Sequence, residues 1–457
     1  MDFTKLIEAQ RAFYNKGETL PVKVRLEKLK KLEHVIRKNQ KEIFQALKED
    51  LNKSEYESYM YEIGPVLSEL AYMKRSIHML SSKHYTMPAI LQFLSASYKK
   101  PTPYGNVLIM TPWNYPFLLT FDSLVDAVAA GNTVIVKPSA YSPATSKMVE
   151  KIISEVFEPE YVSVVTGGRK ENAALLEQKF DMIFFTGSQA VGKEVMRHAA
   201  ENLTPVVLEL GGKSPCIVDS TAKLRISAKR IVMGKYMNSG QTCEAPDYIL
   251  VEESVKDEFI KEVKRQIVKQ FGENPFNNPD YCKMINEKHF DRVANLIDPE
   301  KVVHGGQLNR ETMQIAPTVM DNVTWDDAVM QEEIFGPIMP ILTFKNIDDV
   351  IELLRSRPEP LAMYVFSQSN KNINLLTSRC QFGGGCVNET VLHLGTSSMG
   401  FGGVGASGMG SYHGKEGYQA FSHSKSIIRK ATFLDVIVPF QPYKKIFKPL
   451  LNIVYRF

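Results

Sequence analysis

Met182-Ile183-Phe184-Phe185-Thr186-Gly187-Ser188-Gln189-Ala190-Val191-Gly192-Lys193-Glu194 reads as a buried strand, a glycine turn and the opening of a helix. Glycines let the backbone approach a ligand, and a helix N-terminus presents unpaired N–H groups to an anion. The run contains Gly187, then Gly192-Lys193, at the spacing of a phosphate-binding P-loop. Glu194 stands where that loop needs Ser or Thr to hold magnesium, so a kinase or ATPase reading fails. From these residues alone, a pyrophosphate contact and a plain strand-to-helix turn stay equally open.

Similar strands lie on either side: Val107-Leu108-Ile109, Thr133-Val134-Ile135-Val136, Val162-Ser163-Val164-Val165 and Val206-Val207-Leu208. Their spacing is near the about 30 residues of a βα unit. Continuously apolar strands are buried on both faces, which predicts a parallel sheet and a doubly wound, Rossmann-like α/β cofactor domain. A second α/β region follows, with strands at Tyr248-Ile249-Leu250-Val251, Ile338-Met339-Pro340-Ile341-Leu342, Met363-Tyr364-Val365-Phe366 and Cys386-Val387-Asn388, and helices near 255–271, 285–297 and 347–355. Two long amphipathic helices open the chain, one carrying Leu26, Leu29, Leu32, Ile36, Ile43 and Leu47, the other Ile63, Val66, Leu67, Leu70 and Met73. The expected division is 1–83 and 104–210 for the cofactor domain and 211–417 for the catalytic domain. Residues 84–103 and 418–435 form a bridging or oligomerisation segment, and 436–457 a basic amphipathic tail.

Composition narrows the function. With 457 residues, 44% hydrophobic and 23% charged, the chain is an ordinary soluble globular protein of more than one domain. A net charge of +4 makes no case for nucleic acid, and aromatics do not interleave with basic clusters. The N-terminus lacks a signal-peptide pattern, and no apolar run is long enough to span a membrane. The cysteines are Cys216, Cys243, Cys282, Cys380 and Cys386. Their odd count and wide spacing, with no zinc pattern, fit a reduced cytoplasmic compartment, a free reactive thiol and no metal.

Two segments combine small residues with one reactive group: Asn238-Ser239-Gly240-Gln241-Thr242-Cys243-Glu244-Ala245-Pro246 and Glu209-Leu210-Gly211-Gly212-Lys213. A thiol can attack a carbonyl, and a carboxylate can activate the water that releases the product. A lone cysteine is usually an inert buried residue; here its glycine-rich flanks point to a nucleophile.

These segments, with Pro112-Trp113-Asn114-Tyr115-Pro116, Lys137-Pro138-Ser139, Phe185-Thr186-Gly187-Ser188, Glu333-Ile334-Phe335-Gly336-Pro337 and Phe401-Gly402-Gly403-Val404-Gly405, follow one another in the order of a known family. From about Val22 to about Arg429 the chain resembles the NAD(P)-dependent aldehyde dehydrogenases, most of all their short class 3 branch for fatty and aromatic aldehydes. The resemblance implies Cys243 as nucleophile, Glu209 as base and Asn114 as an oxyanion donor. It implies a cofactor site of Trp113, Lys137, Ala140, Gly187, Ser188, Gln189, Ala190, Val191, Gly192, Glu333 and Phe335. Tyr115, Met237 and Phe401 are expected along the substrate tunnel. The family commonly has Glu three residues after the lysine, where it holds the adenosine ribose. Ala140 stands there instead, so NADP is expected beside, or ahead of, NAD.

The glycine run 400–410 lacks the strand-before, helix-after context of a nucleotide loop and reads as a tight-turn scaffold for the tunnel. The tail carries Lys444, Lys445, Lys448 and Arg456 among Phe447, Leu450, Leu451, Ile453 and Val454. That pattern suits weak contact with an anionic membrane surface or packing on the chain's own dimer, and it is too short and charged to span. The branch resembled implies a homodimer built through residues 84–103. Three other functions remain in play: a CoA-acylating dehydrogenase, which generally lacks the base supplied here by Glu209; a cysteine hydrolase, which needs a histidine beside Cys243; and a non-catalytic binding protein.

Overall fold

The strands read from the five apolar runs form, each within a few residues of its expected bounds. The structure is a computed structural model describing residues 3–89, 92, 94–433 and 440–455. In the first sheet, Val206–Leu210, Met182–Gly187, Asn106–Met110, Thr133–Lys137 and Val162–Val164 lie side by side in that order and run parallel. The chain reverses its direction of travel across the sheet between Asn106–Met110 and Met182–Gly187. Such a switch point opens a crevice at the carboxyl ends of the strands. A sixth strand, Gly408–Met409, pairs antiparallel with Val206–Leu210. The glycine run 400–410 thus gives an edge to this sheet, although its place in the sequence lies within 211–417.

Every residue of the helix Leu118–Ala130 is buried. One side packs on Asn106–Met110 and Thr133–Lys137; the others meet Val22–Lys38, Gly64–Leu80 and Gly414–Ala420. A helix covered all round has no solvent face, so its few polar residues, Thr120, Asp122, Ser123 and Asp126, are buried with the rest. The long first helix expected from the sequence is two, Val22–Lys38 and Gln40–Leu51. The chain leaves helical geometry at Asn39, whose side-chain amide donates to the Val35 carbonyl. A further helix, Thr4–Asn15, precedes them.

The second sheet has seven strands in the order Val302–His304, Thr318–Met320, Ile338–Phe344, Tyr248–Glu252, Pro215–Val218, Ala362–Phe366, Gly384–Val387. All pairs are parallel except the first. The sequence reading missed Pro215–Val218, Val302–His304 and Thr318–Met320, none longer than four residues and so below the length at which alternation shows. A third sheet joins His84–Thr86, Ser95–Pro103 and Ser422–Lys430 antiparallel, so the two stretches assigned to one bridging segment pair with each other, from Ser422 opposite Pro103 to Lys430 opposite Ser95. Tyr85 and Ile428 on this sheet are exposed.

Of the tail, a 3-10 turn Lys445–Phe447 and a short helix Lys448–Val454 are described, with Phe440, Tyr443, Ile446 and Tyr455 exposed. Expectations for residues 434–439, Arg456 and Phe457, and for the side chains of Leu450 and Ile453, lie outside the described residues. Among the described residues no helix is long and apolar enough to cross a membrane.

Candidate active site

Cys243 is presented by a turn whose polar groups are almost all employed. The helix Leu224–Tyr236 ends in a 3-10 turn, Met237–Gly240, where Asn238, Ser239 and Gly240 take positive φ of 49°, 51° and 71°. Non-glycine residues seldom adopt that geometry, so surrounding bonds must hold it. Asn238 Nδ2 donates to the carbonyls of Asn114 (2.9 Å) and Gln241 (3.1 Å). Gln241 Nε2 donates to Asn238 and Lys283 carbonyls at 3.0 Å, and its Oε1 accepts from Ile285 N at 3.0 Å. Ser239 Oγ donates to the Cys282 carbonyl at 2.7 Å. A Cβ on Gly240 would lie 2.3 Å from the Gly336 carbonyl oxygen, which fixes glycine there.

Asn114 comes from the loop after Asn106–Met110. Its Nδ2 donates to the Gln241 carbonyl at 3.0 Å, leaving its second N–H beside the nucleophile turn. Tyr115 Oη lies 2.8 Å from Thr242 Oγ1. Glu209 sits in Val206–Leu210, opposite Thr186 on one neighbour and Gly408 on the other. Gly408 has φ of 140°, and a Cβ there would come within 2.1 Å of the Leu208 carbonyl, so a side chain could not pass so close to the base.

These groups open on one cavity of about 1080 Å³, walled by Cys243, Glu209 and Asn114 together with Trp113, Gly187, Ser188, Gln189, Glu333, Phe335, Tyr115, Met237 and Phe401. Burial pushes the Cys243 thiol well above the usual range, and the carboxylates of Glu244, Glu333 and Glu209 push it further. Glu209 is also pushed well up, first by burial and then by Glu244, and neither of its oxygens has a hydrogen-bond partner. Glu333 is pushed up to about 8 by burial and by Asp247, against a backbone hydrogen bond from Gly212. A Cβ on Gly211 would fall 2.0 Å from its Oε2, so glycine makes room for this carboxylate. Trp113 packs edge-on to Phe335, ring centroids 5.3 Å apart.

The sequence profile of the aldehyde dehydrogenase family matches residues 1–427. The chain belongs to that family. It is 44% identical over 441 residues to 4,4'-diaponeurosporen-aldehyde dehydrogenase of Staphylococcus aureus, covering 96% of each chain. It is 41% identical to the mouse enzyme named aldehyde dehydrogenase, dimeric NADP-preferring, over 93% of this chain and 94% of that one. The substrate-bound structure of AldH from Staphylococcus aureus superposes with a TM-score of 0.97 at 42% identity, covering 99% of both chains. This aldehyde dehydrogenase is thus an oxidoreductase that oxidises aldehydes.

Five residues expected at the cofactor site are not on the cavity wall of this aldehyde dehydrogenase. Lys137 is buried, and its Nζ donates to the carbonyls of Pro138 (2.8 Å) and Gly167 (2.7 Å); burial lowers it to about 8. Ala140 is exposed beyond the strand end, and Ala190 and Val191 lie on the solvent side of the helix Gln189–Glu201. Gly192 is buried, where a Cβ would meet Leu210 Cδ2 at 2.7 Å; it lets the helix pack on the strand rather than touch the cavity.

The fold also brings in residues that the sequence did not mark. Glu244, next to the nucleophile, is fully buried; its oxygens accept no hydrogen bond, and His393 Nε2 lies 3.3 Å from one of them. Asp122 and His413 stand on the cavity wall with His413 Nδ1 3.3 Å from Asp122 Oδ2. Burial pushes His393 down to about 4 and His413 to about 3, so both are neutral at pH 7. None carries a local motif; their only sequence signal was an acid beside Cys243 and a histidine ending the glycine run. Among the described residues no histidine bonds the Cys243 thiol, and no cluster has metal-ligand geometry.

Proposed function

We propose that this enzyme converts medium- or long-chain aliphatic and aromatic aldehydes to carboxylic acids through a covalent cysteine intermediate, with NADP or NAD as hydride acceptor. The observation that carries this reading is the meeting of Cys243, Glu209 and Asn114 on one cavity wall, with the Gly187-Ser188 turn and Glu333 on another part of it. The Cys243 thiol gives its proton to water in the cavity, and its sulfur bonds to the aldehyde carbon as the carbonyl π pair moves to oxygen. The second N–H of Asn114 and the Cys243 backbone N–H hold the oxygen that becomes negative, and loss of one such donor costs roughly 10²–10³ in rate. A nicotinamide nucleotide, when bound, would supply the hydride acceptor; the attacked carbon gives up its hydrogen as hydride, its C=O bond re-forms, and a Cys243 thioester is left. Glu209 then takes a proton from water, whose oxygen attacks the thioester carbon; the acid leaves and the Cys243 sulfur is freed. A carboxyl raised by burial suits that work, because the carboxylate is then the stronger base toward water.

The residues present fit a dinucleotide. Gly187 and Ser188 lead into the N-terminus of a thirteen-residue helix, a natural pyrophosphate site. Glu333 is a partly buried carboxylate facing the cavity beside Phe335, suited to ribose hydroxyls. Lys137 reaches a ribose only by giving up one of its two carbonyl partners, and Ala140 leaves the adenosine end without an acid. That end therefore tolerates a 2′-phosphate, and the NADP preference in the mouse relative's name points the same way. Hydrolysis is favoured over transfer to CoA because Glu209 is present and placed in the cavity. The apolar Tyr115, Met237 and Phe401 on the wall favour hydrophobic aldehydes.

A panel of aliphatic and aromatic aldehydes assayed with NADP and NAD, following reduced cofactor with and without free CoA, tests this reading. Turnover without CoA is expected; turnover only with CoA would reverse it. The enzyme works in the cytoplasm as a homodimer through the sheet of His84–Thr86, Ser95–Pro103 and Ser422–Lys430, with the basic tail free for weak contact with anionic membrane. Light scattering that shows only monomer at low protein concentration would remove the dimer.

A further inference from the structure

A fully buried ammonium lies behind the reacting groups. Lys53 Nζ meets Glu62 Oε1 at 2.5 Å and donates to the Asn114 carbonyl at 2.9 Å, above the Tyr115 ring at 3.9 Å from its centroid. The other Glu62 oxygen accepts from the N–H groups of Phe117 (3.1 Å) and Leu118 (2.9 Å), which open the buried helix Leu118–Ala130. Glu57 Oε1 accepts from Asn238 N at 3.0 Å, in the left-handed part of the nucleophile turn. Glu57 lies in the one-turn helix Glu55–Ser58, and Glu62 lies in the single π-helical turn Tyr59–Ile63 that continues it. At 3.6 residues per turn, side chains five apart face different sides; the wider i→i+5 turn brings these two onto one side, and such turns gather at functional sites.

One short segment therefore grips both halves of the centre, the Asn114 loop and the Cys243 turn. Stability does not explain the buried pair. Replacing such a pair by uncharged groups of similar shape is often neutral or stabilising, whereas removing one partner is strongly destabilising. We propose that Lys53, neutralised by Glu62, is a positioning residue that fixes Asn114 against the Cys243 turn, so that the second amide N–H of Asn114 meets the oxygen of the attacked carbonyl. The inference rests on the catalytic reading above. Lys53 does not touch substrate; it acts through Asn114, whose backbone carbonyl takes both its bond and that of Asn238 Nδ2.

The test compares Lys53→Met, Lys53→Met/Glu62→Gln, Asn114→Ala and their combination by the first-turnover burst of reduced cofactor and by thermal melting. Lys53→Met is expected to melt lower, because Glu62 is left unpaired. The double variant is expected to melt like the parent yet to show a burst about a hundredfold slower, as a misplacement near 1 Å produces, with KM for cofactor unchanged. In the Asn114→Ala background the same pair of substitutions is expected to cause no further loss, since both act on one interaction. A double variant with the parent's burst, or a loss that multiplies with that of Asn114→Ala, overturns the assignment. Should the double variant fail to fold, Glu62→Gln alone reads the same cycle: a slower burst that vanishes in the Asn114→Ala background supports it, and a parent-like burst overturns it. Full turnover in Cys243→Ala, or an undiminished burst in Asn114→Ala, would instead sink the catalytic reading itself.

Discussion

The turn that carries Cys243 and the strand that carries Glu209, the nucleophile and base proposed above, line one cavity but are held in opposite ways. Around Cys243, the side chains of Asn238, Ser239 and Gln241 all bond to backbone, and three successive residues are kept at positive φ. Glu209 has its backbone locked between two strands while both its carboxyl oxygens lack partners. A group that must be aimed at a carbonyl carbon is over-determined by its surroundings. A group that must exchange a proton with water is left unsatisfied, at a desolvation cost that raises its pKa. The contrast matches the cycle proposed above, in which Cys243 forms the acyl-enzyme and Glu209 serves its hydrolysis.

The largest effect that would break this contrast is loss of the nucleophile. Cys243→Ala is expected to reduce aldehyde oxidation to background while cofactor still binds, read as quenching of Trp113, one of only two tryptophans. Near-parent turnover would show that the rigid turn holds something other than the nucleophile. Next, Glu209→Gln separates the halves directly. A burst of about one reduced cofactor per site should survive, followed by a steady state slower by about 10²–10⁴. Equal loss of burst and steady state would place Glu209 before hydride transfer and erase the division.

Moving outward from the reacting groups, Ala140→Glu is expected to lower the NADP-to-NAD ratio of kcat/KM by about one to three decades, through charge repulsion with a 2′-phosphate. The exposure of Ala140 favours the lower end, because solvent screens the pair. A ratio that does not move shows that position 140 does not face the ribose. The smallest effect concerns the charges around the thiol. The thiolate is negative, so neighbouring carboxylates raise its pKa and removing one lowers it. Glu244→Gln should shift the pH profile of Cys243 alkylation to lower pH, and more than Glu209→Gln does, since Glu244 contributes more to the rise. A profile that stays put shows Glu244 to be protonated throughout the range where Cys243 ionises.

Strands such as Asn106–Met110 and Thr133–Lys137 were legible because each is buried along its whole length and carries a run of apolar, mostly β-branched residues. The short strands Pro215–Val218 and Thr318–Met320 were not, because a strand of three or four residues holds too few alternations to differ from a loop. Cys243 and Glu209 stood out in the sequence because each sits in a local run of small residues, whereas Asn114, between Trp113 and Tyr115, was singled out only by the family resemblance; the fold brings all three to one cavity. For Lys137 the motif named the residue but not its surroundings, and the fold has spent its ammonium on two carbonyls.

By itself, then, the sequence determined whatever depends on neighbours along the chain: periodicity, glycine turns, and one reactive group per motif. Only the tertiary structure decided which distant side chains share a buried space. Lys53 meets Asn114 across 61 positions, and His393 approaches Glu244 from another part of the fold. A lysine between two helices and a glutamate in a π-helical turn look like solvated surface until packing removes the water. Once buried they must find each other or a backbone carbonyl, and that requirement, which no local pattern encodes, built the support behind the catalytic cysteine.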